Sequence, residues 1–132
     1  MRPTFLVLVA SAVLLGCERP ASRNPRLTVY HALHGVLVYP RSEMVRMEAG
    51  DSAGQITLAS PDSVALVAAW FRDAFRLNGW ELQSDARSRD GVLTLFAQKG
   101  NRPVWVTFQP SAGGPGTTYT VIGAIVSGDT VK

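Results

Sequence analysis

The spacing of apolar residues in this chain changes from about 3.6 to 2 at Asn78-Gly79, and that switch constrains the fold more than any other feature. Upstream of it, Val64, Val67, Ala68, Phe71, Ala74 and Phe75 recur on one helical face, while Ala65, Ala69, Arg72, Asp73 and Arg76 fall on the other. Leu66, Trp70 and Leu77 widen the apolar arc. Ser60 is suited to cap, Pro61 to the first helical position, and Asp62 to the positive end of the helix dipole. The spacing predicts a helix over 61–78. Gly79 is placed to take the left-handed cap, with Trp80 folding back on Phe75.

Downstream, alternation and β-propensity predict strands at 80–85, 92–98, 104–109 and 118–126, separated by Asp90-Gly91, Gly100-Asn101 and Gly113-Gly114-Pro115-Gly116. Successive strands with turns this short form an antiparallel meander. Leu93, Leu95 and Ala97 point the same way as Val104, Val106 and Phe108, which makes them the floor for the helix. Thr94, Phe96, Trp105, Thr107, Thr120 and Ile122 point to the other face. That face is either half exposed or covered by the first hairpin, through Val45 and Met47 or Val36 and Val38. The hairpin itself is predicted from runs at 44–48 and 55–59 around a glycine-bounded turn, after a β-prone run at 35–39 that Pro40 stops. The expected fold is α+β: a β-hairpin, one amphipathic helix, then a four-stranded antiparallel meander (ββαββββ), with the helix packed on one sheet. It occupies one domain, 33–128, followed by a short tail, 129–132.

The amino terminus has a different character. Arg2 precedes an apolar run, residues 5–15, which is too short to span a hydrocarbon core of about 30 Å. It suits the hydrophobic region of a secretory signal instead. The run ends in Leu14-Leu15-Gly16-Cys17, and Cys17 is the only cysteine in the chain. This segment resembles the lipobox of a bacterial lipoprotein signal peptide, although Leu15 is larger than the residue usual two before the cysteine. The resemblance implies a signal peptide over 1–16 and lipidation of Cys17, with acyl chains holding the mature protein on a membrane at about 0.8 kcal/mol per buried CH₂. Glu18 in place of an aspartate leans toward the outer membrane over the inner, with the domain facing the periplasm. Residues 17–32 carry Pro20, Pro25 and three arginines without an apolar period, and read as a flexible tether.

A second resemblance runs through the mature domain. Tyr39-Pro40, the stretch from Ser60 to Val64, the helix end from Leu77 to Trp80, Thr94 to Ala97 and Val104 to Val106 are together similar to small bacterial envelope domains, often lipoproteins, of an uncharacterised family. The shared motifs are packing motifs, so the resemblance implies compartment and fold but no chemistry.

A net charge of +3 is too mild for a nucleic-acid footprint, and none is expected as a partner. His31 and His34 are three apart, but no Cys, Asp or Glu follows at a metal-site interval, so they read as a linker-edge pair. The acidic residues fall on turns and polar faces, and no Gly-x-Ser-x-Gly or Ser-x-x-Lys is present. Neither a catalytic residue, a metal nor a cofactor is expected. The leading reading is a non-enzymatic envelope lipoprotein that binds an envelope protein or a cell-wall component, with Phe96, Trp105 and Ile122 as the partner surface. The alternatives are a carrier of a small apolar ligand between helix and sheet, and a small hydrolase.

Overall fold

The computed structural model describes residues 25–124. Helix α1 (Pro25–Leu33) leads into a hairpin of β1 (Glu43–Ala49) and β2 (Ala53–Ser60). Helix α2 (Val64–Leu77) then crosses to the far edge, where β3 (Glu81–Arg87), β4 (Leu93–Lys99), β5 (Arg102–Pro110) and β6 (Thr117–Ala124) follow. All six strands form one antiparallel sheet in the order β1-β2-β6-β5-β4-β3. The α+β class with a helix on a sheet is therefore the observed one, and a four-stranded meander understates it. β6 pairs with β2 along its whole length, from Ala53 opposite Ala124 to Ser60 opposite Thr117. The hairpin thereby extends the sheet and does not lie over it.

The alternation dictates the core. Leu93, Leu95, Ala97, Val104, Val106 and Phe108 are all buried under α2 with Tyr119 and Val121. From the helix, Val67, Ala68, Phe71, Ala74 and Phe75 face down. Phe71 is 1 % exposed and makes ring contacts with Trp70, Phe75, Phe108 and Tyr119, all with centroids between 5.1 and 5.9 Å apart. The helix ends in a Schellman turn: Trp80 N–H donates to the Phe75 carbonyl at 2.9 Å, Gly79 has φ 77°, and the Trp80 ring lies 6.1 Å from Phe75.

The helix starts later than its expected 61. Ser63 is the N-cap, its hydroxyl accepting from Leu66 N–H at 3.3 Å. Ser60 belongs to β2 instead: it is buried as the strand's last residue, and its Oγ accepts from Asp62 N–H in the turn that follows. Residues 36–39, expected to be strand-like, pair with no strand.

The expected tether, 17–32, is corrected at its carboxyl end by α1. Pro25 occupies the helix's first position, where its missing N–H costs nothing. Val29 and Ala32 are buried against β2 and β6. The seat is a cross-strand pair of glycines, Gly54 opposite Gly123. A Cβ on Gly54 would stand 2.7 Å from the Val29 Cα, and one on Gly123 would run into the Ala32 carbonyl oxygen. Arg102 closes the helix by donating from Nη2 to that same carbonyl at 3.4 Å, while its guanidinium lies 5.8 Å from the Trp80 ring centre. Both helices thus cover the same face of the sheet.

Candidate functional site: the uncovered face of the sheet

The register places Phe96, Trp105 and Ile122 in one row across β4, β5 and β6, on the face away from α1 and α2. Phe96 and Trp105 are stacked on each other, with centroids 4.9 Å apart and planes 14° from parallel. Both are half-buried, held upright by this contact and by neighbouring strand residues. Ser84 on β3 and Gln55 on β2 continue the row.

The next row along the strands consists of threonines. Thr94, Thr107, Thr120 and Thr57 face one another in register across β4, β5, β6 and β2. Their hydroxyls hydrogen-bond pairwise, Thr94 to Thr107 at 3.4 Å and Thr57 to Thr120 at 3.3 Å. Each such pair uses one of its two donors and one of its four lone pairs, leaving a donor and acceptors free to meet a ligand.

On these four central strands no described residue of this face is charged. Charge appears only at the margins, where Glu43, Arg46 and Glu48 of β1 and Glu81 of β3 share the face. Arg46 lies 3.6 Å from Glu48, and Gln55 donates to Glu48 at 3.2 Å. Each edge strand also carries a register shift, between Met44 and Arg46 on β1 and between Leu82 and Ser84 on β3. Bulges and charges of this kind keep edges from recruiting further strands.

The covered face holds a polar cluster that sequence reasoning missed. Tyr119 is wholly buried, and its hydroxyl shares a 2.6 Å hydrogen bond with Ser42 Oγ and accepts from Tyr39 N–H at 3.2 Å. Tyr39 donates its own hydroxyl to Asp62 at 2.5 Å and packs edge-on against Trp70. Thr117 donates to the Asp62 carbonyl at 2.8 Å. Hydrogen bonding to the Asp62 carboxylate pushes the Tyr39 phenol up, and burial pushes Tyr119 up. Every donor here has a protein acceptor, so the cluster ties the 34–42 connection to the helix and the sheet. A signal existed: Thr117 and Tyr119 alternate with Val121 on the core side of β6, and buried hydroxyls require partners.

Other candidates disperse. His31 in α1 and His34 in the turn after it are exposed and pack T-shaped with the Tyr30 ring, and among the described residues no group of three or more His, Cys, Asp or Glu is arranged to hold a metal. Asp85 is engaged by Arg72 in a two-pronged ion pair, Nε to Oδ2 at 2.7 Å and Nη2 to Oδ1 at 3.1 Å, which holds its carboxyl below the usual range. Two open hollows flank the start of α2: one of about 420 Å³ between Arg41, Glu43 and Pro61, and one of about 430 Å³ between Ser63, Arg87 and Gly114. Among the described residues no helix is long and apolar enough to cross a membrane. Cys17 lies outside the described residues.

No curated protein and no solved structure matches the chain. A family model does, over residues 41–117, from the residue after Pro40 through β1 to the first residue of β6. That stretch is more than half of the chain, and the protein belongs to the START domain-like family.

Proposed function

We propose that the protein is a non-enzymatic binding domain, tethered to the periplasmic face of a bacterial membrane through lipid on Cys17, preferably the outer membrane, and that it holds an envelope or cell-wall partner on the uncovered face of its sheet. The observation that carries the reading is the one-sided arrangement of the two helices. It leaves a preformed aromatic pair and an uncharged surface four strands wide on the other side. Aromatic anchors in such a setting suit recognition, since their ordering cost is already met by mutual stacking.

A photo-crosslinking residue at Thr107, in native envelopes, should trap a partner, whereas one at Arg72 on the outer side of α2 should not. Trp105→Ala should remove the adduct while leaving the domain folded, since the half-buried ring forfeits its stack, about 0.5–1.5 kcal/mol, and only part of the burial that makes a core tryptophan cost about 3–5 kcal/mol. An adduct from Arg72 alone, or one that survives Trp105→Ala, sinks the reading.

Family membership favours a second reading, a carrier for a small apolar ligand between helix and sheet. Against it, Phe71, Phe75, Phe108 and Tyr119 are all buried under α2, with their contacting ring centroids 5.4 to 6.0 Å apart. Uptake of an apolar fluorescent naphthylamine, lost in Phe71→Trp, would support the carrier over the surface.

A further inference from the structure

We infer that the partner on the uncovered face is a neutral polysaccharide, with the hexose rings of one glycan strand laid across β4, β5 and β6. The inference deepens the binding-face reading above and rests on it. Three observations carry it together.

The first is charge. The four central strands offer no described charged group on this face, and the margins offer Glu43 and Glu48 on one side and Glu81 on the other. A polyanion, whether nucleic acid, phospholipid head groups or an acidic peptide, would meet carboxylates and no free cation, because Arg46 is already beside Glu48. An uncharged ligand meets no such penalty.

The second is the pairing of two unlike rows. Ile122, Trp105 and Phe96 form an apolar row, and Thr120, Thr107 and Thr94 form a hydroxyl row beside it, two residues further along each strand and so about 7 Å away. A pyranose is amphipathic in the same way: its axial C–H groups make an apolar face, and its equatorial hydroxyls ring the edge. With rings over the aromatic row, sugar hydroxyls reach the threonines, whose unused donor and acceptor sites point outward. The rows run perpendicular to the strands, and three strand spacings from β2 to β4 give about 14 Å of continuous hydroxyl row, room for roughly three sugars.

The third is what the face lacks for a protein partner. Protein interface cores are enriched in Tyr, Trp, Phe, Met and Arg and depleted of Ser and Ala, and the four central strands offer no Tyr, Met or Arg on this face. Here Trp105, Phe96 and Ile122 supply the large apolar groups, and threonine, glutamine and alanine make up most of the rest.

The test uses the full-length lipidated protein in a detergent without a sugar head group, titrated calorimetrically with a soluble tetramer of β-1,4-linked N-acetylglucosamine. Saturable binding is expected, with little change when salt is raised from low to high. Trp105→Ala should weaken it about tenfold or more, and Thr107→Val, which keeps the shape and removes the hydroxyl, about threefold or more. Thr107→Val also guards against a tryptophan variant that fails to fold. The inference is overturned if the tetramer gives no saturable heat, if it binds the Trp105→Ala and Thr107→Val variants as tightly as the parent, or if binding collapses with salt. Failure here combined with a Trp105-dependent protein adduct from Thr107 would discard the glycan and keep the binding face. Failure of both would discard the face as well.

Discussion

Gly123→Ala is the substitution whose sign reports on α1. Gly123, the last residue but one of β6, lacks a left-handed backbone, so an alanine there, with nothing above it, would stabilise by about 0.4–1 kcal/mol through the unfolded chain. The structure puts α1 above it. The added methyl meets the Ala32 carbonyl oxygen and stands 2.7 Å from Leu33 Cδ2, against an ordinary contact of about 3.5–4.0 Å. The leucine tip can turn aside, but the carbonyl is backbone and moves only with the helix. Lifting α1 re-exposes Val29, whose burial is worth about 1.5–3 kcal/mol, and the Ala32 methyl at about 0.8 kcal/mol. It also strips the Arg102 hydrogen bond, at about 0.5–1.5 kcal/mol. Partial relief of the clash leaves a net loss of about 2–4 kcal/mol. Urea denaturation followed by tryptophan fluorescence measures it, with Gly114→Ala, which meets nothing within 4 Å, as the neutral control. Hydrogen exchange in α1 should quicken in the same variant. A midpoint that rises on Gly123→Ala would refute the seating of α1 on the glycine pair.

Three further outcomes are expected. Phe71→Ala should cost about 3–5 kcal/mol from lost transfer energy and cavity, whereas Arg72→Ala should cost no more than about 1 kcal/mol because its ion pair with Asp85 is over a third exposed on both sides; equal shifts in denaturation midpoint would reverse the helix faces. The Tyr119 phenol is neutral in the fold and raised by burial, so its contribution is intact below the unfolded value near 10 and is lost as pH climbs through the folded one. Tyr119→Phe should flatten alkaline unfolding measured by circular dichroism, with Tyr39, raised in the same direction, leaving a residual slope; an unchanged slope counts against the buried phenol. Mass spectrometry of the envelope-extracted protein should find acyl chains on Cys17 and none in Cys17→Ser, and an unmodified Cys17 in the parent would remove the anchor.

What could be read from sequence was local. The stop of α2 is written in Asn78-Gly79-Trp80 because a left-handed glycine and one returning hydrophobe are enough to make it, and the structure has that turn to the residue. The floor from Leu93 to Phe108 follows from a period of two. The α2 start was legible only in part, since the cap expected at Ser60 falls to Ser63 once β2 takes Ser60 as its last residue opposite Thr117. The pairing of β2 with β6 joins residues 57 to 71 positions apart, and no turn signal encodes it. The same holds for α1, whose few apolar residues make no strong period and whose burial depends on two glycines, one expected at the hairpin turn and the other inside the strand over 118–126. The Tyr39, Ser42, Asp62 and Tyr119 cluster is likewise assembled from three segments. On the uncovered face, the row of Phe96, Trp105 and Ile122 was visible as an alternation, but that no described element lies over it follows only from where the hairpin and the helices lie.

The place of β6 in the sheet also sets an order of events. The last described strand is not an edge but the bridge: β2 holds it on one side and β5 on the other, and no other strand pairing connects the hairpin to the meander. As the chain emerges from the ribosome, the hairpin and the first three meander strands have half a core each and no ladder in common until residues 117–124 appear. Closure therefore waits for residues 117–124 and for contacts distant along the chain, which makes folding slow, on the order of milliseconds to seconds. The export proposed above would be served by such a delay, because the strand that locks the domain shut is the last of the described strands to be made.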